Sequence, residues 1–123
     1  MLGALVFIHQ RFAVALIAFA VLLGLWGLLL LARRQAPTGG YRSSYLLMAM
    51  LTGLQGLLGI GAFLAGGSPR EGFFHIVYGI FAFFFLPGVF VYSGRRQPVT
   101  ETMLLTIGSW VVAIAYVRGL TTG

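Results

Sequence analysis

Four long apolar stretches, separated by short breaks rich in glycine, proline and arginine, account for most of the chain. The first runs from Phe12 to Ala32 and stops at Arg33-Arg34-Gln35. The second runs from Tyr45 to Ala65 and stops at Gly66-Gly67-Ser68-Pro69-Arg70. The third, Phe73 to Tyr92, ends at Ser93-Gly94-Arg95-Arg96. The fourth, about Met103 to Val117, is less apolar and is followed by Arg118 and a Gly/Thr tail. A helix of about 20 apolar residues crosses the hydrocarbon core of a bilayer. Lipid offers no partner to backbone N–H and C=O groups, so runs this long are helical. The breakers Ala36-Pro37-Thr38-Gly39-Gly40 and Gln97-Pro98 fall between runs, and Pro87 falls inside the third, where a kink is expected. Short connections leave each helix antiparallel to the next. The predicted fold is therefore an all-α membrane protein, with four transmembrane helices in an antiparallel up-down bundle and one domain over residues 1–123.

Composition sharpens this picture. Of 123 residues, 59% are hydrophobic and only 8% are charged, and the mean hydropathy is +0.98. A soluble domain has about a quarter of its residues charged. The absence of cysteine excludes disulfides, iron–sulfur clusters and thiol chemistry. The basic residues are all arginine, and they sit in small groups between apolar runs rather than on one continuous face, so nucleic acid is not expected as a partner. Arg33, Arg34 and Arg42 lie between runs one and two, and Arg95 and Arg96 between runs three and four. Arg11, Arg70 and Arg118 lie on the opposite side. This bias places the Arg-Arg loops in the cytoplasm and both termini outside, in a bacterial-type cytoplasmic (inner) membrane. No Asp, Glu, Lys or Arg falls in the middle of a run, which argues against a proton-driven transporter or a voltage sensor.

The two histidines carry the candidate chemistry. His9 precedes the first run and His75 opens the third. Counted from the cytoplasmic arginines, His75 stands about 30 Å before Arg95 and His9 about 36 Å before Arg33. Helix tilt absorbs that difference, so both imidazoles reach similar depth on helices that are diagonal neighbours in a four-helix bundle. Two imidazoles facing each other suit the axial positions of a haem iron. Ala13, Leu16, Ala20, Gly24 and Gly27 lie below His9 at helical spacing, and Gly79, Ala82 and Leu86 below His75. Gly53, Gly56, Gly59 and Gly61 lie on the second run. Such residues leave room for a flat ligand, and the phenylalanines of the third run offer apolar contacts. Arg11, Arg70 and Arg118 share the outer side with the histidines and could pair with haem propionates. Each feature also has an ordinary reading. An interfacial histidine sits among lipid headgroups, small residues pack helices together, and arginines snorkel to phosphates. Gln55, deep in the second run, is expected to hydrogen-bond between helices, and Thr102, Thr106, Ser109, Ala113 and Tyr116 are expected to face inward.

The ordered pattern over about residues 6–96 resembles one four-helix half of the haem A synthase family. Ile8-His9-Gln10-Arg11 matches the outer His-Arg element that opens a helix. Arg33-Arg34 matches the basic cytoplasmic turn, Leu54 to Ala62 the Gln-x-x-x-Gly stretch, and Phe74 to Gly79 the second histidine opening a later helix. The resemblance implies a single bundle, with His9 and His75 as metal ligands of a b-type haem, working as a homodimer or beside another membrane subunit. The family's acidic residue shortly before the first histidine is not matched, because Val6, Phe7 and Ile8 stand there. The cysteine pair that some members carry is missing too. Both departures weigh against a haem-modifying enzyme. Two functions stand. One is a bis-histidine b-type cytochrome for electron transfer or haem handling in a respiratory or photosynthetic complex, with His9, His75, Arg11, Arg70, Arg118 and Gly79 at the cofactor. The other is a non-catalytic accessory subunit of a larger membrane complex without its own cofactor.

Overall fold

The computed structural model describes residues 2–67 and 72–122. It contains α1 (Leu2–Ala32), α2 (Gly39–Leu64), α3 (Gly72–Ser93) and α4 (Pro98–Thr122), with no strand among the described residues. All four helices are long and apolar enough to cross a membrane. They reach beyond the apolar runs that announce them. α1 begins at Leu2 rather than near Phe12, α2 at Gly39 rather than Tyr45, and α4 runs from Pro98 to Thr122 rather than from Met103 to Val117. An apolar run marks the stretch that suits hydrocarbon, whereas caps and backbone hydrogen bonds mark where a helix ends. His9 and Arg11 therefore lie within α1 and not ahead of it. Pro87 sits inside α3 without ending it.

The helix ends follow from local chemistry. Thr38 caps α2, its hydroxyl accepting from the Tyr41 N–H at 3.0 Å. Proline opens α4, where its missing N–H costs nothing. α1 closes on paired bonds from Gln35 N–H to the Leu30 carbonyl (2.9 Å) and from Arg34 N–H to the Leu31 carbonyl (3.0 Å). This closure puts Arg34 in the left-handed region at φ 50°. α2 closes in the same way, with Gly66 at φ 107° taking the strained position at no steric cost.

In cross-section the helices follow one another around a ring. α1 packs on α2 and α4, and α3 packs on the same two, so α1 and α3 stand diagonally opposed. The core is Leu16, Ala20, Leu23 and Leu30 of α1, Tyr41, Tyr45 and Met48 of α2, Ala82 and Leu86 of α3, and Leu105 and Val112 of α4. α1 and α4 approach closely because Gly24 lies against the Trp110 indole, where an added Cβ would stand 2.6 Å from ring carbon. Gly27 in turn meets Thr106 and the Tyr41 hydroxyl. As the sequence predicts, Thr102, Thr106, Ser109, Ala113 and Tyr116 are all buried. Thr106 and Ser109 donate back to the carbonyls one turn earlier, at 2.7 and 3.0 Å, and Tyr116 pairs with Thr52. These bonds let hydroxyls enter an apolar interior.

One end of the bundle is tied by charge. Arg42, in the first turn of α2, donates to Glu101 of α4 through Nε (3.0 Å) and Nη2 (2.6 Å). The Glu101 side chain is 7% exposed and that of Arg42 44%. The carboxylate also sits in the first turn of its helix, where the dipole favours it. Beside it the Thr102 hydroxyl donates to the Gln35 carbonyl at 2.6 Å, fixing the α1–α2 connection to α4. Arg42→Ala leaves a carboxylate buried without its partner. The expected loss is about 2 kcal/mol, below that of a fully buried pair because the arginine is half in solvent. Thermal unfolding in one detergent, with Arg42→Ala/Glu101→Gln recovering much of the loss, checks this.

Candidate functional site

The opposite end of the bundle is built around the two histidines. His9 lies two turns into α1, and His75 lies in the first turn of α3. Their ring centres are 5.9 Å apart, with the planes inclined at 67°. Diagonal helices do not ordinarily bring side chains so close, and two of their neighbours hold these in place. α4 reaches His75 through the Gly119 carbonyl, which lies 2.9 Å from Nδ1. Gly119 stands among the last four residues of its helix, whose carbonyls have no intrahelical donor. A carbonyl only accepts, so Nδ1 of His75 carries the proton. α2 reaches His9 through Gln55, whose Nε2 donates to the His9 main-chain carbonyl at 2.7 Å. One turn further, Gly59 lets α2 close on the imidazole, since a Cβ there would stand 3.1 Å from His9 Cε1.

Both rings face a cavity of about 1080 Å³ lined by all four helices. That is at the upper end of what small-molecule sites occupy. Its walls are mostly aliphatic and aromatic, with Gly53, Gly56, Gly59 and Gly79 providing flat backbone surface. A Cβ at Gly56 or Gly79 would touch nothing within 4 Å. Among the described residues the polar groups on the wall come from His9, Gln10, Thr52, Gln55, His75, Tyr78 and Tyr116, with no charged side chain among them. Two polar atoms here, Nδ1 of His9 and Oε1 of Gln55, are buried with no hydrogen-bond partner.

Comparison with protein-family models, curated proteins and solved structures finds no match.

The geometry alone therefore decides what the site can hold. Among the described residues no cluster of three or more His, Cys, Asp or Glu side chains exists. Two imidazoles do not complete the tetrahedral shell that zinc takes from a protein. They do suffice for an ion that brings its own in-plane ligands, as haem iron does. A metal about 2.0 Å from one nitrogen of each ring sets the ring centres roughly 6 Å apart, which matches the separation found. The two-imidazole donor set and the apolar walls thus fit a haem.

The other predicted contacts divide. Gly79 lies on the cavity wall. Arg118 is exposed, with its guanidinium 5.8 Å from the ring centre of Tyr78, itself a wall residue. Arg11 is also exposed, stacks over Phe7 at 5.3 Å and does not line the cavity. Arg70 lies outside the described residues. Of the small residues below His9, Ala13 and Leu16 line the cavity, while Gly24 and Gly27 serve the α1–α4 contact instead. Gly61 faces Leu5 rather than the cavity. Tyr78, Phe83 and Phe84 form wall, whereas Phe73 and Phe74 are exposed and do not. The roles of Gly59 and Gly119 escape sequence reading. The spacing of Gln55 and Gly59 by four residues, one helical face, was the only signal available.

Gly59 and Gly56 make a matched pair. Alanine at either position gains helix propensity of up to about 1 kcal/mol. At Gly56 that gain is kept, while at Gly59 contact with the His9 ring cancels it. Gly56→Ala is expected to exceed Gly59→Ala in stability by about 1–2 kcal/mol, read from unfolding midpoints in the same detergent.

Proposed function

We propose that this chain is an integral membrane b-type haem protein, a small cytochrome with His9 and His75 as the axial ligands. The observation that carries the reading is the approach of the two rings from diagonal helices, their centres 5.9 Å apart, beside an apolar cavity lined by all four helices. Haem b held by two imidazoles supplies one-electron transfer. His9 and His75 would hold the haem, Gly53, Gly56, Gly79, Ile80 and Phe83 would offer it apolar wall, and no charged side chain of the described residues lines the cavity. Arg118, beside Tyr78, is the described arginine best placed for a propionate, and Arg70 precedes the same helix in sequence. The resemblance to one half of a haem A synthase supports this reading. No carboxylate lines the cavity among the described residues, so the function proposed is electron transfer or haem handling rather than hydroxylation of the haem.

The expected test result is a sharp reduced-minus-oxidised α band from protein purified after expression with a haem supply. That band is lost in His9→Ala and His75→Ala, while both variants keep their helical circular dichroism. A colourless wild type, or a band that survives His75→Ala, would reject the assignment.

The arginine distribution supports a bacterial-type cytoplasmic membrane with both termini outside. Arg33, Arg34, Arg95 and Arg96 lie at the end that the Arg42–Glu101 pair ties together. Arg42 still counts towards the bias, because the rule follows basic residues and not net charge. The site then sits at the outer end. The cavity wall includes strongly exposed residues of α2 and α3, such as Met50, Leu57 and Phe84, which leaves a face for a second copy or another membrane subunit. Because the chain lacks cysteine, single cysteines report topology cleanly. Thr121→Cys is expected to react with an impermeant maleimide in intact spheroplasts, and Arg95→Cys only after lysis. The reverse pattern inverts the orientation.

A further inference from the structure

We propose that Gln55 is a positioning residue for His9, holding its ring at the depth of His75 and fixing which ring nitrogen faces the metal. The proposal rests on the haem reading above and extends it to a residue of α2.

Three observations carry it. The first is that Gln55 anchors itself on His9, with its Nε2 donating to the His9 carbonyl at 2.7 Å. That bond fixes the orientation of the carboxamide, so the remaining atom, Oε1, can only accept. The second is that this acceptor is buried and unpartnered, and so is Nδ1 of the same histidine that Gln55 grips. Buried polar groups are seldom left unpaired, and the pairing that satisfies both at once is Nδ1–H of His9 donating to Oε1 of Gln55. The third is the counterpart across the cavity, where Nδ1 of His75 already meets an acceptor, the Gly119 carbonyl, at 2.9 Å. Ligand histidines ordinarily donate their second ring N–H to such an acceptor, which fixes the tautomer and strengthens the donor nitrogen. With Nδ1 protonated on both rings, both present Nε2 to the metal. Gly59 completes the arrangement by admitting α2 close enough for the Gln55 side chain to act.

The test has two arms. In the first, the full chain is labelled with 15N-histidine and reconstituted in lipid without haem. Two histidines give two sets of ring signals, and His75→Asn assigns them. Both rings are expected to carry the proton on Nδ1 in the wild type. Gln55→Leu is expected to shift His9 alone towards the Nε2–H form. A wild-type His9 protonated on Nε2, or a His9 tautomer indifferent to Gln55→Leu, would overturn the proposal whether or not haem binds. In the second arm, haem b is titrated into wild type, Gln55→Leu and Gln55→Glu. Gln55→Leu is expected to weaken haem binding roughly 10–100-fold. It should also raise the midpoint potential, whereas Gln55→Glu, a stronger acceptor, should lower it. Equal affinities and potentials in all three proteins overturn the positioning role while leaving the haem reading intact. Failure of the wild type to bind haem overturns the haem reading, and the tautomer result then decides the role of Gln55 separately.

Discussion

A polar group placed in hydrocarbon finds its partner inside the protein or finds none, and the rest of this structure follows from that constraint. It makes the backbone helical, since only intrahelical bonds satisfy every N–H and C=O within one segment. It sends the hydroxyls of Thr106 and Ser109 back to the carbonyls one turn earlier and couples Thr52 to Tyr116. It pairs Glu101 with Arg42 instead of leaving a buried carboxylate alone. Among the described residues four buried side-chain atoms escape it. The hydroxyls of Tyr41 and Tyr45 are two of these. They are packed into the core against Gly27 and Gly108, away from the cavity wall. The other two, Nδ1 of His9 and Oε1 of Gln55, belong to neighbouring residues of the cavity wall.

Glycine serves two opposite ends in this fold. At Gly24 and Gly27 it removes volume so that α1 and α4 can touch, and a Cβ at either position would collide with side chains. At Gly56 and Gly79 it removes volume and nothing takes its place. The burial of each helix reflects the difference. In the most apolar stretch of each helix, 33% of residues are buried in α1 and 39% in α4, against 17% in α2 and 11% in α3. α1 and α4 therefore act as a packed spine, and α2 and α3 as a looser wall. Close packing is what stabilises helix association where lipid removes the hydrophobic drive. The chain thus forgoes packing between α2 and α3, which touch less than any other neighbouring pair. A cavity between them is the structural counterpart of that loss.

Helix number, order and the inward face of α4 are legible in the sequence because each depends on periodicity within one segment. The diagonal relation of α1 and α3 is legible too, since short loops fix the order around the ring. What is not legible is the register between helices. Nothing in the stretch around Gln55 says that its carboxamide meets the His9 carbonyl, and nothing near His75 names the Gly119 carbonyl as its acceptor. The same limit explains the arginines. Arg11 is two residues from His9, and on a helix a two-residue step turns a side chain well away from its neighbour's face, so it points outward and stacks on Phe7. Arg118 is far from His75 in sequence yet ends beside Tyr78, one turn along α3. Had α1 begun near Phe12, His9 and Arg11 would have sat on a flexible leader free to turn inward together. Its start at Leu2 removes that freedom.

Donor count is what separates a ligand site from an incidental contact between two rings. A pair of imidazoles edge to face, 67° apart in plane, is also an ordinary aromatic arrangement, and such pairs contribute only about 0.5–1.5 kcal/mol. An ordinary pair would be expected to close up, with small apolar residues packed around it, as Trp110 and Gly24 do lower in the bundle. Here the rings instead keep company with two unpartnered polar atoms and a cavity of about 1080 Å³. With Gln55 bonded to the main chain of one and the Gly119 carbonyl to the ring of the other, they leave a separation that suits one metal ion and too few donors for a bare one. On the proposed reading, a flat macrocycle carrying its own four nitrogens would satisfy both conditions together and fill the space that the glycines of α2 and α3 leave open.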